Sequence, residues 1–208
     1  KIIFSDEAHF CLNGYVNKQN MRYWEENNPR QVLEKQLYPQ KVTVWCGLWT
    51  GGIIGPYFFE NDNGERVTVN GERYRLMLTN FLWPQLDDLD LDGMWFQQDG
   101  ATCHTAAETI NLLRTKFGRR IISRHTPRNW PPRSCDLTPL DFFLWGYLKS
   151  LVFANNPTTI EQLKENITRE IQAIQPDILA RAMTNWTHRI RVCRASRGGH
   201  LNDVLFKT

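Results

Sequence analysis

The stretch MWFQQDG, residues 94–100, decides the fold class, because a short apolar strand ends there in a carboxylate and a helix follows it. Over residues 106–117 the apolar positions recur at helical spacing, and Gly118 is a natural stop. Thr105 and Glu108 fit a capping box at the start of this helix. A strand that leads directly into an amphipathic helix indicates an α/β layer.

Strand patterns dominate the chain upstream of this unit. Residues 1–10 begin with an apolar run, residues 42–49 alternate, and residues 53–60 follow a Thr-Gly-Gly turn signal as a return strand. Residues 120–123 are a further short strand candidate downstream. Together with the helix patterns, this order predicts an α/β fold with a mixed central β-sheet flanked by helices.

Helical spacing occupies most of the remaining chain. Residues 74–82 follow it, and we expect Pro84 to end or kink that helix. The aromatic-rich residues 140–153 are also predicted to be helical. Thr158 and Glu161 fit a second capping box, and residues 158–193 read as C-terminal helices that cover one face of the sheet.

Composition excludes two classes of protein. The chain has 208 residues, of which 41% are hydrophobic, so it is not a disordered chain, and it contains no run of apolar residues long enough to span a membrane. We expect one domain over residues 1–208, excised from a longer protein because it begins at Lys1. Scattered cysteines without a paired spacing predict reduced thiols of an intracellular protein, and no zinc site.

Positive charge is concentrated in two stretches although the net charge is only +3. Residues 113–135 and 178–200 contain no acidic residue, which suits a polyanion such as DNA, although an ordinary solvated face is the alternative. Trp130, between two arginines, is a candidate for base stacking. The candidate DNA-binding residues of the first stretch are Arg114, Lys116, Arg119, Arg120, Arg124, Arg128, Trp130 and Arg133.

Three aspartates occupy places where aspartate is uncommon. Asp6 continues the first strand, Asp99 follows the strand of residues 94–96, and Asp141 opens the helix of residues 140–153. Each side chain has a structural explanation as a turn or helix cap. The alternative is a metal site, because carboxylates are the ligands of Mg²⁺, and two such ions about 3.5–4 Å apart support phosphodiester cleavage.

Three blocks of sequence carry a resemblance to a known family. The blocks SDEAHF (residues 5–10), WFQQDGATCH (95–104) and PPRSCDLTPLDFFLW (131–145) resemble the catalytic domain of mariner-type DNA transposases, in the same order. The resemblance extends over essentially the whole chain. It implies an RNase H-like fold, in which two acidic residues lie on strands and a third opens a helix.

The resemblance also implies a catalytic and metal-binding set. By position within the blocks, this set is Asp6, Asp99 and Asp141, and Asp136 is the weaker candidate for the third acid because it precedes the helix. We expect Asp136 to cap a turn instead. The sequence departs from the family pattern in two ways. The spacing from Asp99 to Asp141 is longer, and we assign the extra length to a basic, proline-rich loop at residues 118–139. Cys135 also stands in place of the usual proline.

The implied activity is cut-and-paste transposition. Such an enzyme hydrolyses phosphodiester bonds at transposon ends and joins the freed 3′-hydroxyl to target DNA, using two Mg²⁺ ions for which Mn²⁺ can substitute. The expected partners are terminal inverted repeats, target DNA and a second copy in a homodimer. The expected location is the nucleus, and we expect the helix-turn-helix DNA-binding region to lie upstream, outside this chain. The alternatives are a domesticated or inactive domain that binds DNA or protein, and a nuclease that only hydrolyses.

Three further residues near these blocks have weaker interpretations. Glu7 points to the opposite face of the strand from Asp6, which favours a structural role. His104 begins a helix, where a hydrogen bond near the helix start is favoured over contact with the scissile phosphate. His9 is assigned to packing or to the surface, because Mg²⁺ prefers oxygen ligands.

Overall fold

A mixed five-stranded sheet forms the centre of the computed structural model, which describes residues 1–14 and 39–199. The strands are β1 (Ile2–Cys11), β2 (Lys41–Trp49), β3 (Gly52–Phe58), β4 (Trp95–Gln97) and β5 (Ile121–Ile122). Their order in the sheet is β3-β2-β1-β4-β5. β2 is antiparallel to β1 and β3, whereas β4 is parallel to β1 and β5, so the predicted mixed sheet is confirmed.

Helices cover both faces of this sheet. They are α1 (Gly71–Met77), α2 (Trp83–Leu86), α3 (Thr102–Thr105), α4 (Ala107–Phe117), α5 (Trp145–Leu151), α6 (Ile160–Gln172) and α7 (Pro176–Ala195). Wider π-helical turns precede α2 and α5, at Leu78–Leu82 and Leu140–Leu144. None of the helices in the described ranges is apolar over a length that would cross a membrane.

The period-two alternation of the strands separates two hydrophobic cores. In β2, Val44 and Cys46 lie in the core beneath α5, α6 and α7, whereas Trp45 lies in the core beneath α1, α2 and α4. β1 alternates in the same way, with Phe4 in the first core and Ile3 in the second. The C-terminal helices therefore cover one face, as the sequence predicts.

Two predicted helix boundaries differ from the structure. Of the two outcomes expected at Pro84, an end or a kink, the end is wrong, because the helix continues to Leu86 through the π-helical turn that precedes α2. Such a turn changes the backbone hydrogen-bond spacing just before a residue that has no N–H to donate. Thr105 does not cap α4, because it belongs to the preceding turn of helix and its hydroxyl donates to the Ala101 carbonyl at 3.1 Å.

The start of α6 lies one residue later than the predicted capping box. Thr159 is the N-cap, and its hydroxyl accepts a hydrogen bond from the Gln162 amide at 3.2 Å. The side chain of Gln162 in turn accepts from the Thr158 amide at 2.9 Å. The predicted pair of Thr158 and Glu161 is therefore wrong: the N-cap bond is made by Thr159, and the return bond from Gln162 reaches the amide before the N-cap instead of the N-cap amide of a capping box.

The segment predicted as a basic loop, residues 118–139, is partly structured. It contributes β5 at the edge of the sheet, as predicted for residues 120–123, and a 3₁₀ turn at Cys135–Leu137. Trp130 is only 8% exposed and packs in the core beneath α5, α6 and α7. Its assignment to base stacking is therefore corrected, because a buried indole ring offers no free face to a base.

Candidate active site

The three aspartates are positioned by β1, by the end of β4 and by the π-helical turn that precedes α5. Asp6 lies on β1 between Phe4 and Ala8, so it faces the core beneath the C-terminal helices. The Trp145 indole Nε1 donates to Asp6 Oδ2 at 2.8 Å. Asp99 follows β4, and Asp141 is the second residue of the π-helical turn Leu140–Leu144.

The three carboxylates act on one another electrostatically. Burial, followed by the charges of Asp141 and Glu7, raises the pKa of Asp6 well above its usual range, against the hydrogen bond from Trp145. Burial and then the charge of Asp99 raise the pKa of Asp141 to about 6. The charge of Asp141 therefore acts on Asp6, and the charge of Asp99 acts on Asp141, because like charges disfavour ionisation at short range.

Metal binding by these residues stays a prediction. Within residues 1–14 and 39–199, no three His, Cys, Asp or Glu side chains are arranged to hold a metal ion. The donor chemistry nevertheless fits, because carboxylate oxygens are the ligands of Mg²⁺ and because a bound cation would relieve the repulsion that raises the pKa of Asp6 and Asp141.

Asp136 has different surroundings from Asp141. It lies in the 3₁₀ turn Cys135–Leu137, and its backbone carbonyl accepts a hydrogen bond from Arg189 Nη1 at 2.9 Å. Burial lowers the pKa of Arg189, and the charge of Asp136 opposes this shift. The charges that shift the pKa of Asp6 and of Asp141 are those of other residues. Burial, followed by the charges of Asp141 and Asp136, raises the pKa of the Cys135 thiol, so the two aspartates also share a neighbour.

His104 links Asp99 to Glu7 across two strands. Its Nδ1 lies 2.5 Å from Asp99 Oδ1, and its Nε2 lies 3.2 Å from Glu7 Oε1. Burial alone would lower the pKa of His104, but Tyr74, Glu7 and Asp99 raise it well above its usual value. Burial opposes ionisation of Asp99 as well, yet the hydrogen bonds from His104 and from the Ala101 amide lower its pKa.

The two weaker histidine interpretations have different outcomes. His104 does more than bond near a helix start, because both of its ring nitrogens pair with carboxylates. The pairing with Glu7 spans 97 residues of sequence, so no local pattern indicates it. His9 is exposed and its Nδ1 lies 3.0 Å from the Thr43 hydroxyl, which agrees with the surface role.

Sequence reasoning missed Lys149. Burial lowers the pKa of its ammonium group, and the charges of Cys11, Asp141 and Asp6 act against that shift. The side chain also lies over the Phe10 ring, with Nζ 5.4 Å from the ring centroid. Lys149 follows Asp141 by about two helical turns, a spacing that could have pointed to it.

The predicted DNA-binding residues divide into exposed and internally bonded groups. Three make bonds within the molecule: Lys116 Nζ lies 2.9 Å from Asp87 Oδ1, Arg120 Nε donates to the Met94 carbonyl at 3.0 Å, and Arg114 Nη1, although exposed, donates to Asn111 Oδ1 at 3.0 Å. The exposed members are Arg114, Arg119, Arg124, Arg128 and Arg133. The Arg124 side chain lies next to the residue that follows Asp99, because a Cβ placed on Gly100 would lie 3.3 Å from its Cδ.

Comparison with solved structures identifies similar folds. A Mos1 transposase paired-end complex with the left transposon end matches with a TM-score of 0.72 and 20% identity over 97% of this chain. The Mos1 transposase catalytic domain with Raltegravir and Mg matches with a TM-score of 0.70 and 19% identity over 97% of this chain. This chain covers 85% of that catalytic-domain chain.

The likeness is limited to solved structures and to part of their length. No model of a protein family and no curated protein matches the sequence. The chain spans 56% of the Mos1 chain in the paired-end complex, so it corresponds to about half of that protein. At this identity the likeness concerns the fold, and it shows that this chain has the RNase H-like fold of the Mos1 mariner transposase catalytic domain.

Proposed function

We propose that this chain is the catalytic domain of a cut-and-paste DNA transposase, a metal-dependent enzyme that hydrolyses phosphodiester bonds at transposon ends and transfers the strand into target DNA. The observation that supports the proposal is the placement of Asp6 on β1, Asp99 after β4 and Asp141 at a helix start in this fold, where the charge of Asp141 acts on Asp6 and that of Asp99 acts on Asp141. Carboxylates that raise one another's pKa are costly to maintain unless a cation or a reaction uses them.

Asp6, Asp99 and Asp141 would hold the divalent cations, two Mg²⁺ ions in this proposal, with Mn²⁺ able to substitute. Bound ions of this kind activate an attacking oxygen and stabilise the leaving oxygen. The protein contributes the orientation of the carboxylates. Trp145 fixes one oxygen of Asp6 at 2.8 Å, and the Ala101 amide donates to Asp99 Oδ1 at 2.9 Å.

DNA is the proposed substrate. Residues 113–135 contain five exposed arginines that can contact phosphates, and one of them, Arg124, lies adjacent to the glycine that follows Asp99. Solved complexes with similar folds include a Mos1 paired-end complex with a transposon end and a Mos1 strand transfer complex. We extend this to terminal inverted repeats and target DNA for the present protein, which would act as a homodimer in the nucleus.

A strand-transfer assay tests the proposal. The chain is incubated in Mn²⁺ with pre-cut duplex ends that carry a free 3′-hydroxyl and with a supercoiled target plasmid. Covalent joining of the labelled end to the plasmid is expected, and Asp6→Asn should abolish it. Nicking without joining would replace the proposal by a nuclease that only hydrolyses, and DNA binding without either reaction would replace it by an inactive binding domain.

A further inference from the structure

We propose that His104, held by Glu7, is a positioning residue for Asp99, and that the Glu7–His104–Asp99 bridge fixes the carboxylate oxygen that Asp99 presents to a divalent cation. The inference rests on the proposed function, in which Asp99 is a metal ligand. It assigns a role to two buried polar groups that the proposed chemistry does not otherwise use.

The bridge is held rigidly on both sides. The His104 side chain is 2% exposed and that of Glu7 is 16% exposed. Each ring nitrogen faces a carboxylate, with Asp99 Oδ1 at 2.5 Å from Nδ1 and Glu7 Oε1 at 3.2 Å from Nε2. The imidazole also packs on the Tyr74 ring, with 4.3 Å between centroids, and the Tyr74 hydroxyl donates to Gln98 Oε1 at 3.0 Å. Rotation of the imidazole would break contacts on three sides.

The sheet itself does not fix Asp99 relative to β1. The parallel pairing of β1 with β4 ends at Phe4 and Gln97, and the Ser5 hydroxyl donates to the Gln97 carbonyl at 2.7 Å just beyond it. Asp99 lies past this point, and its side chain is 51% exposed, so packing does not hold it either. The Glu7–His104–Asp99 bridge therefore joins the chain after β4 to β1 at a point where the backbone hydrogen bonds between the two strands have ended.

The direction of the hydrogen bonds selects one oxygen of Asp99. The Ala101 amide donates to Oδ1 at 2.9 Å, and His104 Nδ1 lies 2.5 Å from the same oxygen. With both contacts on Oδ1, Oδ2 is the oxygen left to a cation. Hydrogen-bond partners of metal-binding carboxylates typically contribute about 10–100-fold to metal affinity or activity.

Three substitutions of His104 separate positioning from simple packing. His104→Ala removes both contacts. His104→Asn places an amide N–H near the position of Nδ1 and can keep the bond to Asp99, whereas His104→Gln places its amide near Nε2 and can keep only the bond to Glu7. Tyr74→Phe is the matched control, because it removes a buried hydroxyl beside the same ring but leaves the bridge intact.

The measurement is Mn²⁺ binding by calorimetric titration of the metal-free chain, together with the Mn²⁺ concentration for half-maximal nicking of a labelled duplex. We expect His104→Ala and His104→Gln to weaken both by about 10-fold or more, and saturating Mn²⁺ to restore most of the nicking rate. His104→Asn should stay within a few-fold of the wild type, and Tyr74→Phe should lower thermal stability without changing either metal value.

Two results distinguish the positioning role of His104 from the metal-ligand role of Asp99 in the proposed function. If His104→Ala binds Mn²⁺ as the wild type does while Asp99→Asn loses it, the bridge has no positioning role and the proposed function stands. If Asp99→Asn leaves Mn²⁺ binding and nicking unchanged, the ligand assignment in the proposed function is wrong.

Should His104→Ala fail to fold by circular dichroism, Glu7→Gln replaces it. Glu7→Gln keeps the size of the side chain, and we expect a several-fold loss of Mn²⁺ affinity, whereas no change would overturn the inference.

Discussion

Asp136 and Asp141 belong to the same short segment, yet the fold gives them different neighbours. Asp141 interacts with Asp99 and with Lys149, whereas Asp136 lies beside Arg189 of α7. Arg189 donates a hydrogen bond to the Asp136 backbone carbonyl, and the charge of Asp136 acts on that guanidinium. A carboxylate beside other carboxylates retains a charge that a bound cation can neutralise.

Asp141→Asn should abolish Mn²⁺-dependent nicking, and Asp136→Asn should not. Loss of a ligand from a two-metal site removes several kcal/mol of transition-state stabilisation, which lowers the rate by about 10³-fold or more. Nicking of a labelled duplex measures the rate, with circular dichroism as the control for folding. Loss of nicking in Asp136→Asn with activity retained in Asp141→Asn would move the third acid to Asp136.

The stability of the metal-free protein should decrease as the pH rises through about 6, because the raised pKa of Asp141 means that the folded state favours its protonated form. This contribution is complete below the ordinary aspartate pKa of 3.8 and is lost once the pH exceeds about 6. Asp141→Asn removes the charge and should flatten this part of the profile.

Thermal unfolding between pH 4 and pH 8 measures the effect. Because solvent screens a partly exposed carboxylate, we expect the free energy of unfolding of the metal-free wild type to be about 1 kcal/mol lower at neutral pH than at pH 4. This corresponds to a decrease of about 2–4 °C in Tm. Mn²⁺ should raise the Tm more at pH 7.5 than at pH 5, since protons compete for the same oxygens. Equal stabilisation at both pH values would contradict the assignment.

At the scale of elements, one hydrogen bond joins the helix of the third acid to the strand of the first. Trp145 begins α5, and its indole donates to Asp6 on β1. The same ring packs edge-on against Phe10 of β1, with 6.2 Å between centroids. The contact therefore fixes the distance between two elements that each carry a site carboxylate.

Trp145→Phe should cost more stability than its loss of apolar area explains. The phenyl ring can keep the packing on Phe10, but Asp6 loses its donor, and an unpaired buried acceptor costs about 1–3 kcal/mol. Trp186→Phe is the matched control, because the buried Trp186 Nε1 has no hydrogen-bond partner within the described residues. Urea unfolding at pH 7 compares the two, and equal losses would show that the Trp145 hydrogen bond contributes nothing.

At the scale of the whole molecule, charge is divided between an acidic site and basic surroundings. Asp6 lies on β1, Asp99 follows β4 and Asp141 precedes α5, whereas residues 113–135 and α7 carry exposed arginines. Such a division suits a substrate whose phosphates need positive charge along the backbone and cations at the point of cleavage.

DNA binding should depend steeply on salt. Each phosphate contact contributes about −0.9 to the slope of log affinity against log salt concentration, without preference for sequence. Arg124→Ala removes an exposed charge beside Asp99 and should reduce the slope by about 1. Arg120→Ala should instead lower stability, because its guanidinium bonds to the Met94 carbonyl. Fluorescence anisotropy with a labelled duplex at several salt concentrations measures the slope, and a slope near zero would exclude DNA as the partner of these surfaces.

Local periods predict the mixed sheet and most of the helices: two residues in a strand such as β2 and about 3.6 in a helix such as α6, which a run of a few residues displays. Strand ends and a helix start draw attention to Asp6, Asp99 and Asp141, and the resemblance to mariner-type transposases makes them the candidate set. Boundaries were less certain, as at Thr159 and Pro84, because capping and π-helical turns depend on single hydrogen bonds. Of the residues predicted to form one domain, 15–38 and 200–208 lie outside the described part of the structure.

Contacts between distant residues depend on how the chain packs. Trp145 is the partner of Asp6, and His104 is the partner of Asp99. Glu7, on the opposite face of β1 from Asp6, pairs with His104. Trp130, in a basic and proline-rich segment, is placed in a core. Contacts such as that of Asp6 with Trp145 join residues 139 positions apart, and no local period encodes them. They follow from the path of the chain through the sheet, because packing both faces of β1 brings distant segments to adjacent residues of one strand.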